Sequence, residues 1–163
     1  MKKYVLASVF ALALVGMVAG WSISGGKPYH VTLNGASEVP GPGDFDGSGT
    51  FHLTVNPGQG EICYTLTWEG IDEPTAAHIH RAPIGEAGAV VVPLTVSATG
   101  SSSDCVSIDR ELANELIKDP GAFYVNVHNV AYPSGAIRAQ LDGADDQNGD
   151  KHPNNGQNPD NDE

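Results

Sequence analysis

The residues best equipped for chemistry are His78 and His80, in the run Ala77-His78-Ile79-His80-Arg81. In a β-strand, residues two apart point to the same face, so the two imidazoles project together while Ile79 turns into the core. Imidazoles with backbones about 7 Å apart can converge on one metal ion. A third histidine, His128, lies on the side of its strand opposite Phe123, Val125 and Val127. Any sheet that makes the two strands neighbours completes a three-histidine cluster. Ring-nitrogen separations of about 3–4 Å would mark a shared ion with bonds near 2 Å. Neutral imidazoles without carboxylates suit copper, with zinc as second choice, and argue against calcium or magnesium. The competing reading is a solvated or hydrogen-bonded strand face. His30, His52 and His152 show no companion at ligand spacing and read as solvated or hydrogen-bonded residues.

Other chemistry has little support. No Gly-x-Ser-x-Gly elbow, His-Glu-x-x-His motif or phosphate-cradling Gly-Lys loop is present. The stretch Asp44-x-Asp46-Gly47-Ser48-Gly49 begins like a calcium loop, but Val55 stands where the bidentate glutamate would have to be, so it reads as a Gly/Asp-rich turn. Arg138 reads as a residue that ties loops together through its planar fork rather than as a guide for anions. The two cysteines, Cys63 and Cys105, read as one structural disulfide in an oxidising compartment.

Positioning these side chains falls to strands. Tyr29, Val31 and Leu33 alternate with His30, Thr32 and Asn34; Phe51, Leu53 and Val55 alternate with His52 and Thr54; Ile62, Tyr64, Leu66 and Trp68 alternate with Cys63, Thr65, Thr67 and Glu69. Asn56-Pro57-Gly58-Gln59-Gly60 joins the last two as a hairpin. Further strands are predicted over 76–80, 89–96, 103–108, 123–128 and 136–141. One short helix is predicted over 109–118, with Asp109 as N-cap and Leu112, Leu116 and Ile117 on its apolar side. The pattern implies an all-β fold, an antiparallel Greek-key β-sandwich with one short helix.

Charge divides the chain. Of its 163 residues 20 are acidic and 8 basic, a net charge of -12, which excludes a nucleic-acid binder that works by neutralising phosphates. Met1-Lys2-Lys3 followed by the uncharged run to Gly20 reads as a signal peptide over 1–20, or as an uncleaved membrane anchor, so the mature protein is expected outside the cytoplasm: periplasmic, cell-surface or secreted. Residues 142–163 hold seven acids, one base and almost no apolar content, and read as a disordered, solubilising tail. One domain remains, over 28–141.

That domain resembles a known family. Leu33-Asn34-Gly35-Ala36-Ser37-Glu38-Val39-Pro40, Ala76-Ala77-His78-Ile79-His80, Val90-Val91-Val92-Pro93-Leu94, Tyr124-Val125-Asn126-Val127-His128-Asn129 and Tyr132-Pro133-Ser134-Gly135-Ala136-Ile137-Arg138-Ala139-Gln140-Leu141 are similar, in order, to the blocks of the CHRD domain, named for chordin and common in exported bacterial proteins. At Ala82 the family pattern usually has a small residue, often glycine, and at Ala136, in Gly135-Ala136-Ile137-Arg138-Ala139, it usually has an acidic residue. More loosely, His78, His80 and His128 resemble the copper ligands of Cu/Zn superoxide dismutases in order and strand phase. The segment 81–101 lacks the further histidines those enzymes use, so dismutation is not expected. The resemblance implies an exported, non-catalytic module with a mononuclear copper or zinc site. The alternatives are a structural or adhesive module without metal that binds an extracellular protein or a cell-surface partner, and a copper-dependent oxidoreductase.

Overall fold

Alternating β-branched and aromatic residues do build strands throughout. The computed structural model describes residues 25–143, so the expected leader over 1–20 and the tail beyond 143 lie outside the described residues. The strands are β1 (Lys27–Asn34), β2 (Ser48–Asn56), β3 (Glu61–Glu69), β4 (Pro74–Arg81), β5 (Ala89–Leu94), β6 (Ser101–Ser107), β7 (Phe123–Asn129) and β8 (Ile137–Gln140). They pair antiparallel in the order β5-β4-β7-β8-β1-β2-β3-β6, which leaves β5 and β6 as the two edges. The all-β reading with one short helix holds. Its two four-stranded halves are one continuous sheet, because Asn34 on β1 pairs with Arg138 on β8.

The inner faces of both halves meet in a single core. Leu33, Phe51, Leu53, Ile62 and Leu66 from one half pack with Ile79, Val92, Val125, Val127 and Ile137 from the other. Burying such side chains contributes about 1.5–3 kcal/mol each, which sets the strand registers, since a slip of one residue would turn every one of them outward. The helix α1 (Arg110–Lys118) packs against this core through Ala113 and Leu116, and the Tyr29 hydroxyl donates to the Leu116 carbonyl at 3.0 Å. Asp109 occupies the N-cap position, but its side chain makes no capping bond; the expected cap is positional only.

Cys63 and Cys105 are register partners on β3 and β6 and form a disulfide, with Cα atoms 4.0 Å apart. The Asp44 segment is a turn, as expected: the Gly47 amide donates to the Asp44 carbonyl and the Asp44 amide to the Ala136 carbonyl. Gly35 lets this segment close over the sheet, because a Cβ there would collide with the Asp44 backbone.

Strand β7 departs from simple alternation. Tyr124 and Asn126, on its outward side, are only 3% and 2% exposed. Two loops cover them. Residues 35–47 bring Glu38 beside Asn126, and residues 82–88 bring Gly88 onto the Tyr124 hydroxyl, to which the Gly88 amide donates at 3.1 Å. The outer face of β4, β7 and β8 is therefore a second, polar interior.

Candidate metal centre

The pairing of β4 with β7 sets His78 opposite Asn126, His80 opposite Tyr124 and His128 opposite Ala76. All three histidines thus reach the same outer face, as their spacing predicts. One ring nitrogen from each can be chosen so that the three lie within 4.8 Å of one another. A tetrahedral ion with bonds of 2.0–2.1 Å needs nitrogens about 3.3 Å apart. His78 Nδ1 and His128 Nε2, at 3.1 Å, already meet that spacing.

Hydrogen bonds select which nitrogen each ring offers. The Nδ1–H of His80 donates to the Gly88 carbonyl at 2.9 Å, which turns Nε2 into the lone-pair atom. That Nε2 is buried and has no hydrogen-bond partner. The Nδ1–H of His128 likewise donates to the Pro133 carbonyl at 3.2 Å and leaves its Nε2 facing His78. An ion held here would meet His78 Nδ1, His80 Nε2 and His128 Nε2. With three protein ligands, such an ion would keep a further coordination position for water. Burial lowers the pKa of His78, with a smaller contribution from the neighbouring His80. Burial also lowers that of His128, aided by His78 and His80 and opposed by the Pro133 carbonyl. Both shifts favour the neutral rings that metal ligation needs.

A clamp holds His80 from behind. Its ring stacks on Tyr124, with centroids 4.8 Å apart and planes 7° apart, and the Arg138 guanidinium lies 3.5 Å from the centroid of the same phenol ring. Arg138 is 1% exposed and donates to the carbonyls of Glu86 at 2.8 Å and Pro83 at 3.3 Å, while Gln140 donates to that of Ala82 at 2.8 Å. Together they pin the 82–88 loop whose Gly88 carbonyl orients His80. Gly88 must be small, because a Cβ there would collide with the Arg81 carbonyl. Arg138 is thus the loop tie expected from its fork geometry. The loop itself carries no periodic signal, and nothing in the alternation marks Glu38 as buried.

A model of the CHRD domain matches residues 29–141. The chain belongs to the CHRD family. The match spans every strand but the first two residues of β1, and it contains all three histidines and both cysteines. No curated protein and no solved structure gives a significant match. The CHRD assignment supports a β-sandwich module, and together with the disulfide it is consistent with an extracellular protein. Among the described residues no helix is long and apolar enough to cross a membrane.

Glu38, within the first CHRD block, is 5% exposed, and its pKa is raised to about 7 because burial outweighs Asn126, Arg138 and the Val39 amide, all of which lower it. A carboxyl raised on folding stabilises the fold fully below its unfolded pKa near 4.5, and that contribution is lost as pH rises through about 7. Glu38→Gln removes the ionisation cost. It is expected to raise stability at pH 8 by about 3 kcal/mol relative to its effect at pH 4, read from urea unfolding at the two pH values. Equal effects at both would show that Glu38 does not ionise within this range.

Proposed function

We propose that this CHRD protein is an exported, non-catalytic module that binds one copper ion through His78, His80 and His128, with zinc as the second choice. The observation that carries the reading is the buried His80 Nε2, stripped of any other partner and oriented toward two neutral imidazoles by a clamped loop. A buried nitrogen without a partner costs about 1–3 kcal/mol, a cost that a metal bond would offset. Imidazole donors without a carboxylate fit Cu and Zn, and the disulfide fits an oxidising compartment. The rival is a metal-free adhesive module, in which the 3.1 Å contact between His78 and His128 serves as a structural hydrogen bond and an extracellular or cell-surface partner binds through loops.

Copper titration followed by electron paramagnetic resonance separates the two. The full chain is expected to give a Cu(II) signal with hyperfine splitting from histidine nitrogens, and His80→Ala to weaken that binding by at least two orders of magnitude. Binding that His80→Ala leaves unchanged would favour the metal-free reading. Copper-loaded protein is expected to turn over neither superoxide nor peroxide.

A further inference from the structure

His30 and His52, which show no companion in the sequence, are register partners on β1 and β2. Their rings stack with centroids 3.9 Å apart and planes 19° apart. Both side chains are exposed, on the outer face of the half of the fold that does not carry the three-histidine cluster. Among the described residues neither ring takes part in a hydrogen bond, so all four ring nitrogens are available.

We propose that His30 and His52 form a second transition-metal site, a cross-strand chelate for a divalent ion of the copper or zinc type. Directly opposed residues on antiparallel strands have Cβ atoms about 4.5–5.5 Å apart, so the backbone sets the two imidazoles side by side before any ion arrives. Each ring supplies one nitrogen at about 2.0–2.1 Å, and water completes the coordination. Because both rings are exposed, a small rotation splays the stacked pair until the lone pairs meet. The first ring bound holds the ion at high effective concentration for the second. The surroundings raise no electrostatic barrier: the same register row continues into Thr65 and Ser103, and a shallow depression of about 270 Å³ beside His52 is lined by Pro28, Thr54, Cys63 and Thr65. The chain's net charge of -12 attracts cations to its surface. Nitrogen donors alone favour Cu(II) over Zn(II) and leave calcium and magnesium unbound.

The test is the copper stoichiometry of the full chain, with Cu(II) as the only added ligand, measured by equilibrium dialysis on the parent, His30→Thr, His52→Thr and His80→Ala. Threonine suits this strand face, and near-ultraviolet circular dichroism checks that each variant stays folded. His30→Thr and His52→Thr are each expected to lose one copper equivalent per chain, with affinity for that equivalent reduced at least tenfold. The pair does not depend on the three-histidine site. If that site fails and the pair holds, His80→Ala leaves uptake unchanged while His30→Thr still lowers it. Uptake by His30→Thr and His52→Thr equal to the parent's at every copper concentration would overturn the proposal.

Discussion

Replacing Arg138 with methionine is expected to lower the unfolding free energy by about 3–5 kcal/mol, the range seen when one member of a buried charged network is removed. Methionine keeps the length of the stem and loses every polar contact. The Glu86 carbonyl loses the guanidinium as donor, the Pro83 carbonyl keeps only the Glu86 amide, and the Gln140 side-chain oxygen loses a buried charged partner, a contact worth about 1.5–3 kcal/mol. Tyr124 loses the guanidinium on its ring, and Glu38 loses the positive charge that favours its ionised form. For a domain of this size the loss corresponds to a fall in Tm of roughly 10–20 °C. The loop should loosen along with the stability, since the same guanidinium pins the segment that ends at Gly88. Urea unfolding measures the first effect, and amide exchange across residues 82–88 the second. A change in Tm under about 2 °C would mean that the loop is held by Gln140 and the backbone alone.

The second large effect belongs to the disulfide. Cys63 and Cys105 close a loop of 42 positions, for which the chain-entropy estimate is about 4 kcal/mol of stability. The cost falls unevenly. Strand β6 is an edge, paired only with β3, and five of its seven residues are serine or aspartate, so little apolar burial holds it once the bond is gone. The double variant Cys63→Ser/Cys105→Ser should therefore lose amide protection over 101–107 first, and its urea midpoint should fall in step with that of the reduced parent. Full protection of β6 in the variant would locate the stabilisation in the unfolded chain alone.

Much of this arrangement is legible in the sequence because it rests on periodicity. Alternation placed Ile79 and Val127 inside, and so put His78, His80 and His128 on one face; adjacency of β4 and β7 then made them a cluster. Alternation reports which way a residue points and is silent on what lies over it. Tyr124 and Asn126 point outward as their positions say, yet they are buried, because two aperiodic loops fold back across them. The pairing of His30 with His52 is hidden for another reason. The register of β1 against β2 follows a long connection, residues 35–47, whose closure depends on Gly35 and on the Ala136 carbonyl far along the chain. The role of Arg138 was visible from its chemistry, but its partners were not, since carbonyls carry no residue-type signature.

The sheet's order has a consequence for how the protein meets other chains. An open eight-stranded sheet has two edges, β5 and β6, whose outer sides pair with no further strand and where another chain could zip on. Strand β5 carries Pro93, which has no N–H to offer, together with an irregular register opposite Ile79 and His80. Strand β6 presents Asp104 and a run of serines, of low hydrophobicity, and is fastened inward by a covalent bond. Both edges are thus poor templates for edge-to-edge pairing, although the sheet never closes into a full barrel.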